Sequence, residues 1–212
     1  MPAEFKSPLP SGSLADYQGW SILLGKVTEK ILTAKDVKYI LGISYRQLND
    51  WEWRGMGREI FERPGRHKKE GWRKFSIADL IALGVVQEAK LYGISITKLR
   101  AVMHNIFFTD ETLTTIFPFL VYGHDVFFYS NFERSSAYYG VNSVIESVEI
   151  SVEYLRDSAF VLIIPVNRIA DNIFMKMGRA DFRVLKQDDG GYNFLIHGVP
   201  LALEPLPGLV VE

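Results

Sequence analysis

Three helix starts carry the same pattern, a serine or threonine followed three residues later by a residue that can hydrogen-bond back to it. The three pairs are Thr33/Asp36, Ser44/Gln47 and Ser76/Asp79. In such a capping box the hydroxyl oxygen accepts a backbone N–H of the first helical turn, which stabilises the helix by about 1 kcal/mol. The pattern predicts a helix directly after each of the three hydroxyl residues.

The first two predicted helices are separated only by Gly42 and Ile43. Apolar residues recur at helical spacing on both sides of this turn, first at Val37, Ile40 and Leu41 and then at Tyr45, Leu48 and Trp51. Two short helices joined by a tight glycine-containing turn are typical of a helix-turn-helix. A small αα-hairpin has the same helix caps and the same glycine-containing turn, and geometry alone leaves both interpretations open.

The segment that follows these helices is basic and lacks helical periodicity. Residues 31–104 hold fourteen Lys or Arg against eight Asp or Glu, whereas the whole chain has a formal net charge of −1. Within that region Met56 to Phe75 contains the turn dipeptide Pro64-Gly65 and a high density of cationic side chains. A cationic hairpin directly after a helix-turn-helix can reach the phosphates beside the groove that the helix enters, so we interpret it as a wing.

Several motifs in order, from Ile31 to about Met103, resemble the MerR family of transcriptional regulators over about a third of the chain. They are Gly42-Ile43-Ser44-Tyr45-Arg46-Gln47-Leu48, Trp51-Glu52, Arg54-Gly55, Gly71-Trp72-Arg73-Lys74-Phe75, Ser76 to Leu80, and Leu91-Tyr92-Gly93-Ile94-Ser95-Ile96. The resemblance implies a winged helix-turn-helix that binds double-stranded DNA. Its recognition helix would start at Ser44, its third helix at Ser76 and its fourth at Ser95.

A recognition helix that enters the major groove presents its first turns to base edges. The candidate base contacts are Tyr45, Arg46 and Asn49, because Arg pairs with guanine and Asn with adenine through two hydrogen bonds. The candidate phosphate contacts are Arg73, which lies in the wing motif, and Lys74, Arg54, Arg63, Arg66 and Lys68. Trp51, Trp72 and Phe75 are expected to pack and brace the wing.

This chain departs from the family pattern at three places. Asn49-Asp50-Trp51 stands where the family commonly has Arg-Tyr-Tyr, and Asp50 would repel a phosphate that it faced. The wing is long, at about twenty residues. Thr109-Asp110 and Pro118 interrupt the long helix through which such regulators usually dimerise, so that mode of pairing is not carried over.

The C-terminal half predicts a small α+β domain. Strands are expected at Asp125 to Tyr129 and Phe160 to Val166, followed by a helix capped by Asn167. Phe182 to Leu185 and Tyr192 to Ile196 predict a hairpin across Asp188-Asp189-Gly190-Gly191, and Gly123-His124-Asp125 is interpreted as a further hairpin turn. The many aromatic residues of this half are interpreted as core, with a ligand pocket or a protein interface as the alternatives.

The overall prediction is an α+β fold in three parts. Residues 1–25 are a flexible tail, residues 26–108 a winged helix-turn-helix of four helices and a wing, and residues 109–212 a small α+β effector or interaction domain. The absence of cysteine excludes disulfides, thiolate zinc sites and thiol redox sensing. The four histidines are scattered, and neither a P-loop nor a GxSxG motif is present, so no enzyme activity, metal or cofactor is predicted.

The function predicted from the sequence is a cytoplasmic, sequence-specific regulator of transcription. No apolar run approaches the ~18 residues that cross a bilayer, so no membrane partner is expected. A homodimer and a small-molecule or protein ligand of the C-terminal domain are further partners considered. Two alternatives remain: an antitoxin or adaptor whose C-terminal domain binds a protein, and an architectural DNA binder of the excisionase type.

Overall fold

The computed structural model describes residues 17–54, 73–103, 117–130, 137–141, 162–177 and 181–206. The helices are α1 (Gln18–Thr28), α2 (Ala34–Leu41), α3 (Tyr45–Trp53), α4 (Ile77–Leu91), α5 (Ile96–Met103) and α6 (Val166–Lys176). The strands are β1 (Leu32–Thr33), β2 (Lys74–Phe75), β3 (Val126–Ser130), β4 (Ala137–Val141), β5 (Leu162–Pro165), β6 (Phe182–Lys186), β7 (Tyr192–Ile196) and β8 (Val199–Pro200). This mixture of helix and sheet agrees with the predicted α+β class.

The three capping boxes are confirmed. The hydroxyls of Thr33, Ser44 and Ser76 each accept a hydrogen bond from the backbone N–H three residues later. The side chain of that later residue in turn accepts the backbone N–H of the capping serine or threonine. Gly42 ends α2 in the left-handed region, at φ 74°, where glycine lacks the steric cost that other residues meet. The turn between α2 and α3 is therefore as short as the sequence predicts.

The predicted tail over residues 1–25 is wrong from Gln18 onward, where α1 begins. Trp20, Leu23 and Val27 of α1 are fully buried in the core. The start of α1 has no side-chain cap of its own, and both carboxylate oxygens of Glu204 instead accept the Gly19 N–H at 3.1 Å. Hydrogen bonds from its own backbone N–H and from that of Gly19 lower the pKa of Glu204. Residues 1–16 lie outside the described part of the chain.

Only the last strand of the predicted wing falls within the described residues. β2 pairs antiparallel with β1, in the register Leu32 to Phe75 and Thr33 to Lys74. Because β1 leads directly into α2 and β2 into α4, this two-stranded ribbon joins the starts of those helices. The wing tip itself, at residues 55–72, lies outside the described range.

The predicted elements of the C-terminal half are present, with two strands added. β3 lies between β4 and β5, and β7 lies between β6 and β8, with every pair antiparallel. Strands β4 and β8 were not predicted. The β6–β7 hairpin turns at Gly190, whose φ is 89°. The predicted aromatic core is confirmed among the described residues. The Phe182 ring stacks on the Phe194 ring, and the Phe174 ring packs edge-on against Phe194.

Two local predictions in this half are wrong. Asn167 does not cap α6, because Pro165 occupies that position; its side chain instead accepts the Val126 N–H at 2.6 Å and donates to the His124 carbonyl at 2.8 Å. Gly123 has a φ of 78° and does form a turn, but the turn follows helical residues 117–121 and precedes β3. It connects a helix to a strand, so it is not a hairpin turn.

One hydrophobic core runs through both halves of the described chain. Helix α6 packs against α2 and α4, and a Cβ added at Gly84 of α4 would overlap Ile169 Cγ2 of α6. The missing side chain thus lets the two helices approach closely. The predicted boundary between residues 108 and 109 lies outside the described residues, and the elements on its two sides share a core.

Candidate nucleic-acid interface

Helix α3 is attached to the core by one side only. Leu48 and Trp51 are buried, whereas the side chains of its first turn, Tyr45, Arg46 and Gln47, are exposed. The capping box at Ser44 fixes where this turn starts, since Gln47 Oε1 accepts the Ser44 N–H at 2.8 Å. The result is a short helix whose amino-terminal turn presents polar groups to solvent.

The predicted base contacts lie together on this helix. Arg46 is exposed, Asn49 is half-buried, and Tyr45 is 57% exposed instead of packing with the apolar stripe. Residues three and four positions apart are neighbours on a helix surface, so the Asn49 side chain adjoins those of Tyr45 and Arg46. The three predicted base contacts therefore form one continuous patch.

Arg73, a predicted phosphate contact, is mostly buried against α3. Its side chain is only 14% exposed and forms an ion pair with Glu52 of α3, whose side chain is 15% exposed. The Arg73 guanidinium also lies over the Tyr45 ring, 5.7 Å from the centroid, within cation–π range. Arg73 thus connects the end of the wing segment to α3 and packs over the Tyr45 ring.

Arg54, a predicted phosphate contact, is exposed and bonded to Asp50. Its Nε donates to Asp50 Oδ1 at 2.9 Å, across one turn of α3. The pairing places a positive charge beside the carboxylate that the sequence identifies as unfavourable near phosphate. An exposed pair of this kind contributes only about 0.3–0.5 kcal/mol of stability, so phosphate can compete for the arginine.

The remaining predicted phosphate contacts divide into two groups. Lys74 is exposed on β2, directly after Arg73. Arg63, Arg66 and Lys68 belong to the wing tip and lie outside the described residues. The structure therefore brings Tyr45, Arg46, Asn49, Arg54 and Arg73 together on or against α3, with Lys74 on the adjoining strand.

Three further residues of this region were missed by the sequence reasoning. Trp53 is 87% exposed at the end of α3, and Lys35 and Lys38 are exposed along α2. Trp53 falls outside the Leu48 and Trp51 stripe, and this position off the apolar spacing was the available clue.

Within the described part of the chain, no group of three or more His, Asp or Glu side chains is arranged to hold a metal ion. Within the same ranges, no helix has the length and apolar character needed to span a membrane.

Comparisons with known protein families, with curated proteins and with solved structures found no match to this chain.

Proposed function

We propose that this chain binds double-stranded DNA in a sequence-dependent manner through α3 and regulates transcription, as a winged helix-turn-helix protein. The observation that carries the proposal is the surface of α3: its apolar side is held in the core, and its first turn exposes Tyr45 and Arg46 with Asn49 beside them. A recognition helix needs this arrangement, because its amino-terminal residues contact base edges.

The side-chain chemistry of the patch suits the major groove. The Arg46 guanidinium can donate two hydrogen bonds to guanine O6 and N7, and the Asn49 amide can pair with adenine N6 and N7. The Tyr45 ring can contact a thymine methyl group, and its hydroxyl can reach a phosphate. The contact with Arg73 limits the orientations that the Tyr45 ring adopts, which reduces the entropy lost on binding.

Charge around α3 supports contact with phosphate. Lys35, Lys38, Arg46 and Lys74 are exposed cations on α2, α3 and β2, within the basic stretch of a chain whose formal net charge is −1. Each cation that neutralises a phosphate releases counterions, so affinity should fall steeply as salt is added. Cations on α2 can hold the backbone while α3 occupies the groove, since the first helix of such a pair crosses the backbone.

We expect Arg46→Ala to weaken binding to a preferred duplex by about 1–3 kcal/mol, or roughly five- to 150-fold, and to relax the preference at one base pair. The preferred duplex is first selected from a random pool with the full chain. Fluorescence anisotropy then measures affinity for the selected duplex and for a random duplex at several salt concentrations.

Arg183→Ala is the matched control, because Arg183 is an exposed arginine on β6, outside the helix-turn-helix. It should leave the preference for the selected duplex unchanged. Failure of the selection to enrich any duplex would contradict the proposal. So would equal losses in the two variants on both duplexes.

A further inference from the structure

The carbonyl of Ile40, in the last turn of α2, accepts hydrogen bonds from two side chains of the C-terminal half. Asn172 Nδ2 and Lys176 Nζ of α6 each donate to it at 3.1 Å. The last four carbonyls of a helix have no partner within the helix, so they need partners from elsewhere. A lysine ammonium at a helix carboxyl end is also favourable with the helix dipole.

This carbonyl lies immediately before the turn that sets the direction of α3. Gly42, with its positive φ, follows two residues later, and Ser44, the cap of α3, follows four residues later. Ile40 and Ile43 are buried on the two sides of that turn. A displacement of the last turn of α2 would therefore be transmitted over very few bonds to the start of α3.

Helix α6 is also bonded, through Asp171, to the β6–β7 hairpin of the C-terminal half. The Tyr192 hydroxyl donates to Asp171 Oδ1 at 2.6 Å, and Lys186 Nζ donates to Asp171 Oδ2 at 2.6 Å. Burial raises the pKa of Tyr192, as do its hydrogen bond to the Asp171 carboxylate and that group's charge, so the hydroxyl keeps its proton and remains the donor. The β6–β7 hairpin is thereby attached to the helix that contacts α2.

We infer that Asn172 and Lys176 are positioning residues through which the C-terminal half sets the placement of α3. As far as it concerns DNA, the inference rests on the proposed function. A displacement of α6 relative to α2 would alter DNA affinity by removing these two bonds from the Ile40 carbonyl. The C-terminal half then regulates binding without touching the duplex.

The test compares the wild type with the double variant Asn172→Ala, Lys176→Met, which removes both donors while keeping an apolar stem at 176. We expect affinity for the selected duplex to fall at least about fivefold, a typical size for coupling between sites. Binding to a random duplex should fall less, because phosphate contacts depend less on the orientation of α3. The single substitution Lys176→Arg keeps a hydrogen-bond donor at this position, so that variant should retain most of the wild-type affinity for the selected duplex.

Arg168→Met is the matched control, because it removes one exposed cation from the same helix. Hydrogen exchange of backbone amides 42–48, measured without DNA, provides a readout independent of the proposed function. We expect faster exchange there in the double variant than in the wild type or the Arg168 variant. If the double variant does not fold, Lys176→Met alone is compared in the same way.

Unchanged exchange at residues 42–48 would overturn the inference. An equal loss of DNA affinity in the Arg168 variant would also overturn it, since the effect would then be one of net charge. Faster exchange together with a wild-type chain that selects no duplex would support the positioning role and contradict the proposed function instead.

Discussion

Trp20→Ala is expected to lower the free energy of unfolding by about 3–5 kcal/mol, the usual cost of removing a large aromatic side chain from a core. Trp20 is fully buried, its Nε1 donates to the Glu204 carbonyl at 2.9 Å, and its ring lies 5.8 Å from that of Tyr122. The substitution removes this packing and leaves a cavity under α1. Urea denaturation followed by circular dichroism measures the change.

Ile22→Ala is the control for this substitution. Ile22 lies on the same helix but is 41% exposed, so its truncation should cost no more than about 1 kcal/mol. Equal effects of the two substitutions would mean that α1 does not contribute its buried face to the core, which would remove the basis for including residues 18–28 in the folded unit.

Gly84→Val is expected to destabilise the chain by about 1–3 kcal/mol, the typical cost of overpacking a filled core. Any Cβ at position 84 would overlap Ile169 Cγ2, so α4 and α6 must separate or the isoleucine must leave its rotamer. Because this contact joins the two halves, the substitution should lower the midpoint temperature at which their shared core unfolds. Differential scanning calorimetry provides that midpoint.

Gly25→Val supplies the comparison, since a side chain there meets nothing within 4 Å and the helical backbone cost is similar. Adding Ile169→Ala to Gly84→Val should recover part of the loss, and the two changes should be clearly non-additive. Additive effects of the pair, or a Gly84 variant as stable as the Gly25 variant, would contradict the close packing of α4 on α6.

Features determined by residues three or four positions apart were predictable from the sequence. The caps at Thr33, Ser44 and Ser76 depend on a hydroxyl and its partner within one turn, and Gly42 ends α2 through its own backbone freedom. The β6–β7 hairpin likewise follows from its Asp-Gly-Gly turn between apolar segments. In each case the deciding interaction is local.

Features determined by distant residues were not predictable in this way. Helix α1 was missed because its amino-terminal partner, Glu204, is 185 residues away along the chain. The role of Gly84 depends on Ile169, and that of Asn167 on backbone groups at His124 and Val126. Periodicity within a short window carries no information about such partners.

The candidate site shows the same division. The exposure of Arg46 follows from its place off the Leu48 and Trp51 stripe, and the sequence identifies it. The environment of Arg73 cannot be predicted from the spacing of apolar residues. Its ion pair with Glu52 and its contact with Tyr45 join α3 to a residue more than twenty positions later. Its place in the wing motif suggested a phosphate contact, but that motif gives no information about its partners on α3.

The most direct test of the account is to map which backbone amides respond when the selected duplex is added to isotopically labelled protein. Nuclear magnetic resonance should show the largest shifts at Tyr45 to Asn49, smaller ones at Lys35, Lys38 and Lys74, and almost none in β6 to β8. Shifts centred on the C-terminal sheet, with the amides of α3 unmoved, would contradict the claim that α3 is the surface that binds DNA.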